Sequence, residues 1–122
     1  MSQSPTSRTL QYCRKHNLLA DVAESYNSFT QRRKDLFGFI DLVILDGTTL
    51  IGVQVTSTSN MSARRKKILN ERNEAATAWL KTGALIEVWG WSKKLEKKGG
   101  KRMLWTLNKK PIFDNDLLGA LL

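Results

Sequence analysis

Residues 39–45 and 50–57 are two runs of aliphatic and β-branched side chains, and Asp46-Gly47 begins the short polar stretch between them. That pattern predicts two antiparallel strands joined by a tight turn, because β-branched residues pack well on a pleated surface and Asp-Gly suits a two-residue hairpin loop. One residue does not belong in such a run. Asp41 stands among Ile40, Leu42, Val43 and Ile44, and a carboxylate in that company needs a cation or several hydrogen-bond donors to offset its desolvation. On the second strand Gln54 and Thr56 are two residues apart, so they share one face while Val53 and Val55 point to the other, into the core.

The remaining chain supplies elements to pack against this hairpin. Residues 6–17 carry Leu10 and Cys13 at near-helical spacing among Arg8, Arg14 and Lys15, with Pro5 placed for a first turn. Residues 18–26 alternate loosely and read as a strand bearing Glu24, followed by a polar loop that leads to Arg32-Arg33-Lys34. Residues 61–81 contain neither Gly nor Pro and predict one long helix ended by Gly83. Residues 84–91 and 103–107 read as strands, with a charged, glycine-containing turn over 93–102, and residues 113–122 as a short apolar helix. The long helix must carry the chain back across the sheet, so the expected fold is one α/β domain spanning residues 1–122, with a mixed central sheet flanked by helices.

Charge narrows the choice of partner. Lys and Arg number 20 against 11 acids, a formal +9, and such a field attracts phosphate-bearing polymers, nucleic acid first among them. No apolar run approaches the roughly 20 residues that span a bilayer, and residues 1–8 lack the apolar stretch of a signal peptide. A cytoplasmic, intracellular protein is expected. Cys13 is the only cysteine and His16 the only histidine, which excludes an internal disulfide and a thiolate zinc cluster; any metal here is expected on oxygen ligands.

The order of elements, with Asp41 on one strand, Gln54-Val55-Thr56 on the next and a helix after it, resembles the PD-(D/E)XK nuclease superfamily, which includes restriction endonucleases and Holliday-junction resolvases. More locally, residues 34–41 and 52–57 resemble a phage and bacterial branch of proteins with that fold. The resemblance implies an αβββαβ restriction-endonuclease-like core and a metal-dependent endodeoxyribonuclease acting on duplex or branched DNA, with Mg²⁺ or Mn²⁺ as cofactor. It implies Asp41, Gln54 and Glu24 as catalytic and metal-holding side chains, with the backbone carbonyl of Val55 a further ligand. It also implies a homodimer, because junction-resolving relatives need two sites for two symmetric strands. The sequence departs from the superfamily at Thr56, where a lysine is usual. A lysine from the following helix is the expected substitute, Lys67 before Lys66.

Each assignment has a plainer counterpart. Asp41 also reads as a strand-end residue bonded to nearby amides, Gln54 as a satisfied sheet residue, and Glu24 as an exposed strand residue. Asp35 reads as a partner of Arg32 or Arg33 or as a residue at the site entrance, and Asp46 as a turn residue. Arg32, Arg33, Lys34, Arg64, Arg65 and Lys66 precede the two halves of the site and are expected to contact DNA phosphates. The run from Lys93 to Arg102 is either a solvated loop or a DNA clamp. Trp79, Trp89, Trp91 and Trp105 are expected to pack rather than to stack on bases. Two other classes stay open: a DNA-binding module of the same fold without catalysis, and a basic structural protein.

Overall fold

Apolar and buried residues run almost without interruption along the central strands, so both faces of the sheet have to be covered, and they are. The computed structural model describes residues 3–122. Helix α1 (Pro5–Lys15) leads to β1 (Leu19–Val22), a small hairpin of β2 (Ser25–Asn27) and β3 (Arg32–Lys34), then β4 (Leu42–Asp46) and β5 (Thr49–Ser57). A 3-10 turn over Thr58–Asn60 precedes α2 (Met61–Glu71) and α3 (Asn73–Lys81), followed by β6 (Leu85–Leu95), β7 (Met103–Ile112) and α4 (Asp114–Ala120). The main sheet has five strands in the order β1-β4-β5-β6-β7, while β2 and β3 pair only with each other.

All neighbouring pairs in the main sheet are antiparallel except β5 with β6. That parallel pair follows from α2 and α3, which return the chain to the starting edge as a crossover. The Asp46-to-Thr49 pair closes the β4–β5 hairpin around Gly47, whose φ of 63° suits glycine. Pro111 sits in β7, at the edge of the sheet, where a missing N–H costs no ladder bond.

On one face Leu42, Ile44, Val53, Val55, Trp89 and Trp91 pack beneath Cys13, Leu10 and Tyr12 of α1. Trp91 donates its indole N–H to Thr9 Oγ1 at 2.9 Å, which satisfies two polar groups inside this layer. On the other face Ile86, Val88 and Ile112 pack beneath Met61, Ile68 and Ala76 of α2 and α3 and Leu117 of α4. Glycine makes that second layer fit. A Cβ on Gly90 would overlap Met61 Sδ and lie 2.9 Å from Thr58 Cα, and one on Gly52 would lie 3.0 Å from the Trp79 ring.

Four expectations change. The stretch 18–26 is not one strand: β1 ends at Val22 and the chain leaves the sheet at Glu24 to build the β2–β3 hairpin. The helix expected over 61–81 is two helices, broken at Arg72, where Asn73 is buried and its Nδ2 donates to Leu69 O at 2.9 Å and Leu117 O at 2.7 Å. The last two strands run longer than expected, to Leu95 and Ile112, because they pair along ten residues each as an antiparallel ribbon. Residues 39–41 stand before β4 rather than in it. No helix among the described residues is long and apolar enough to cross a membrane.

Candidate active site

Asp41 lies where β4 begins, its backbone N–H donating to Val53 O at 2.9 Å and its carbonyl accepting from Ala23 N–H at 2.8 Å. It is thereby pinned between β1 and β5, and it is only 7% exposed. Its side chain points to the α2–α3 face, the face that also holds the buried Gln54 and Thr56. Gln54 Nε2 donates to Asp41 Oδ2 at 2.6 Å and Val55 N–H to the same oxygen at 2.8 Å. The strand-end reading of Asp41 therefore describes its hydrogen bonds correctly, yet those bonds reach one oxygen.

The other half of the carboxylate's environment is acidic. Oxygens of Glu24, Asp35 and Asp41 all lie within 4.8 Å of one another. Glu24 arrives because β1 runs beside β4 and Glu24 directly follows Ala23, whose N–H is bonded to Asp41. Asp35 arrives through a sharp reversal. Leu36 N–H donates to Ile40 O and Ile40 N–H to Leu36 O, both at 3.0 Å, around Phe37 and Gly38, which take φ of 54° and 81°. Two consecutive left-handed residues fold the chain back within a single turn, and Phe37 accepts a conformation that costs a side-chain-bearing residue on the order of 1 kcal/mol or more. Burial raises the Asp41 carboxyl to about 7 from the ordinary 3.8, with a carboxyl–carboxyl hydrogen bond to Asp35 and the charges of Asp35 and Glu24 adding to the rise, against the Val55 N–H.

Beside the three acids opens a cleft of about 800 Å³ lined by Arg33, Lys34, Asp35, Gly38, Lys67 and Arg72, among others. The hairpin brings Arg33 and Lys34, α2 brings Lys67, and the break between α2 and α3 brings Arg72. Arg33 Nη1 stands 3.7 Å from Glu24 Oε1. The Arg72 side chain lies over Gly38 so closely that a Cβ there would be 2.5 Å from Nε.

Of the residues singled out in the sequence, Asp41, Gln54, Val55, Glu24 and Lys67 come together at or beside this cleft. Gln54 meets Asp41 through its NH₂ and holds it in place; its carbonyl oxygen becomes available to a metal at that point only if the amide turns over. In a strand the N–H and C=O of one residue point to the same side, so the carbonyl of Val55 also faces the edge where Asp41 sits. Thr56 is buried and uncharged. The basic residues divide. Arg33 and Lys34 line the cleft, whereas Arg32 lies exposed on the hairpin stem and Arg64 exposed on α2. Arg65 and Lys66 line a different recess with Ser62, Leu69 and Lys110, and Arg65 Nη2 pairs with Asp116 Oδ1 at 3.1 Å.

Asp35, which the sequence offers as a partner of Arg32 or Arg33 or as a residue at the site entrance, lies within the acid cluster, whereas Arg72 has no assignment from the sequence. Gly38 four residues before Leu42 was the available signal for the reversal that delivers Asp35. Nothing local marks Arg72, whose position depends on a helix break. Comparison of the chain with family models, with curated proteins and with solved structures finds no match.

Proposed function

We propose that this chain is a divalent-metal-dependent endodeoxyribonuclease with a PD-(D/E)XK-type core, cutting duplex or branched DNA. The observation that carries the reading is the meeting of Asp41, Asp35 and Glu24 within 4.8 Å, with Asp35 in the lining of a cleft that also presents Arg33, Lys34, Lys67 and Arg72. Supporting the restriction-endonuclease-like core is the succession α1, β1, β4, β5, α2, β6, with β5 and β6 parallel and the small hairpin and β7 as additions.

The donor set fits Mg²⁺ or Mn²⁺. It offers only hard oxygen ligands, and burial, with the adjoining carboxyls of Asp35 and Glu24 adding to it, raises Asp41 to about 7; a divalent cation would favour the charged form and relieve the repulsion among the three. Asp35 also makes good the acid that Gln54 does not provide. When bound, the ion supplies the charge sink that phosphoryl transfer requires and acidifies water. The chain's own groups do the rest. Gln54 and the Val55 N–H fix one oxygen of Asp41, which leaves the other for the ion. Lys67, from α2, lines the cleft, supplies the positive charge that Thr56 lacks, and orients the attacking water. Arg33, Lys34 and Arg72 hold phosphates on either side of the scissile bond. Cutting both strands of a branched substrate takes two copies of the chain, and exposed Leu118, Leu121 and Leu122 offer an apolar surface for such pairing.

A second reading, a DNA-binding module without catalysis, is favoured by one observation: Asp41 Oδ2 already accepts two hydrogen bonds. Incubation with supercoiled and four-way-junction DNA in Mg²⁺ or Mn²⁺ separates the two. Cutting is expected from the wild type, none from Asp41→Ala, and a rate lower by on the order of 10² from Lys67→Ala. Equal DNA binding by wild type and Asp41→Ala with no cutting by either overturns the nuclease reading.

A further inference from the structure

The hairpin of β2 and β3 is held to the molecule only at its base. Its strands pair with each other and with no strand of the main sheet, and every residue of both strands is exposed. It nonetheless has a defined tip. Asn27 Oδ1 accepts from Phe29 N–H at 2.9 Å and from Thr30 N–H at 3.4 Å, and Gln31 turns the chain with φ of 55°. An Asx turn of this kind fixes the loop backbone locally. It presents Phe29, which is 97% exposed.

A phenylalanine left wholly in water forgoes roughly 1.5–3 kcal/mol of burial, and no packing role within this chain accounts for it. The occupant follows from what surrounds it. Arg32, Arg33 and Lys34 form one strand of the stem, and Ser25, Arg33 and Lys34 line the cleft beside the acids, together with Asp35. An aromatic tip on a cationic stem matches a stacked polymer with anionic edges. The three residues of β3 span roughly 10 Å and the turn carries Phe29 beyond them, more than the roughly 7.5 Å depth of a minor groove.

We propose that the hairpin is a wedge for DNA: Arg32, Arg33 and Lys34 sit on phosphates beside the scissile bond while Phe29 enters the base stack and opens it at the cleft. This rests on the nuclease reading for the identity of the polymer and deepens it, since a device that unstacks bases selects DNA already weakened at a branch or mismatch.

The test uses the full chain with EDTA present, so that opening is measured without cutting. The probes are a linear duplex and a four-way junction, each with 2-aminopurine beside the expected insertion step. Binding of wild type is expected to raise the 2-aminopurine emission several-fold, more on the junction than on the duplex. Phe29→Ala is expected to abolish the rise and to weaken binding about tenfold, the loss of one base–aromatic stack, while Phe29→Trp restores both. The thermal midpoint stays unchanged throughout, because the side chain touches nothing in the free protein. An equal rise from Phe29→Ala, or tight wild-type binding with no rise, overturns the wedge. Loss of self-association in Phe29→Ala without loss of the rise assigns Phe29 to a protein contact and also overturns it. The nuclease reading fails separately: a protein that opens DNA in EDTA but never cuts in Mg²⁺ upholds the wedge and removes the catalysis.

Discussion

Replacing Asp41 by Asn tests whether the acid cluster is strained as its geometry implies. Burial, the carboxyl–carboxyl bond to Asp35 and the charges of Asp35 and Glu24 hold Asp41 at about 7 in the folded chain, against 3.8 for the free side chain. The folded state therefore binds this proton more tightly than the unfolded state does. The resulting stabilisation is complete below about pH 4 and is lost as pH rises to about 7; the interval corresponds to about 4 kcal/mol. Asn in the same place carries no charge, keeps an oxygen where Asp41 Oδ2 accepts from both Gln54 Nε2 and the Val55 N–H, and turns its NH₂ toward the carboxylates of Asp35 and Glu24. Asp41→Asn is thus expected to match the wild type at pH 4 and to exceed it at pH 8, without divalent ions, by about 4 kcal/mol, on the order of 10 °C in midpoint. Urea titrations and thermal melts at both pH values measure this. At pH 8, Mg²⁺ at about 100 times its Kd should raise wild-type stability by about 2.7 kcal/mol and leave Asp41→Asn unmoved. A difference between the two proteins that is flat from pH 4 to 8, or a variant weaker than wild type at pH 8, refutes the reasoning.

Arg33→Ala should lower the slope of log K against log salt for duplex binding by about 0.9, whereas Arg65→Ala should leave it unchanged, because only the first side chain lines the cleft; a salt series by fluorescence anisotropy decides. Gly90→Ala should destabilise the fold by about 1–3 kcal/mol through overlap with Met61 and the Thr58 backbone, read as an earlier denaturation midpoint. Asn73→Ala removes the donor shared by Leu69 and Leu117 carbonyls and should cost about 1–3 kcal/mol, with α4 amides exchanging faster than in wild type.

Much of the scaffold is written in local pattern. The β4–β5 hairpin was legible because its two runs of β-branched residues and Asp46-Gly47 agree, and a period of two assigns side chains to faces without reference to the rest of the chain. Asp41 stood out for the same reason: a charge in an apolar run conflicts with its neighbours wherever the chain folds, so the need for partners is a property of the sequence. The helix over 61–81 was visible as helix but not as two, since the break at Arg72 is held by Asn73 reaching Leu117, 44 residues away.

Composition and periodicity alone set the mixed α/β character, the positive charge and the acid standing among apolar residues at the start of the β4–β5 hairpin. Tertiary structure decided what surrounds that acid. Glu24 reaches it because β1 pairs with β4, Asp35 because the chain reverses through Phe37 and Gly38, and Lys67 and Arg72 because two helices cross the sheet above it. Electrostatic energy depends on distance through space, and separations of a few ångströms between residues far apart along the chain are set only when the sheet closes and the helices dock.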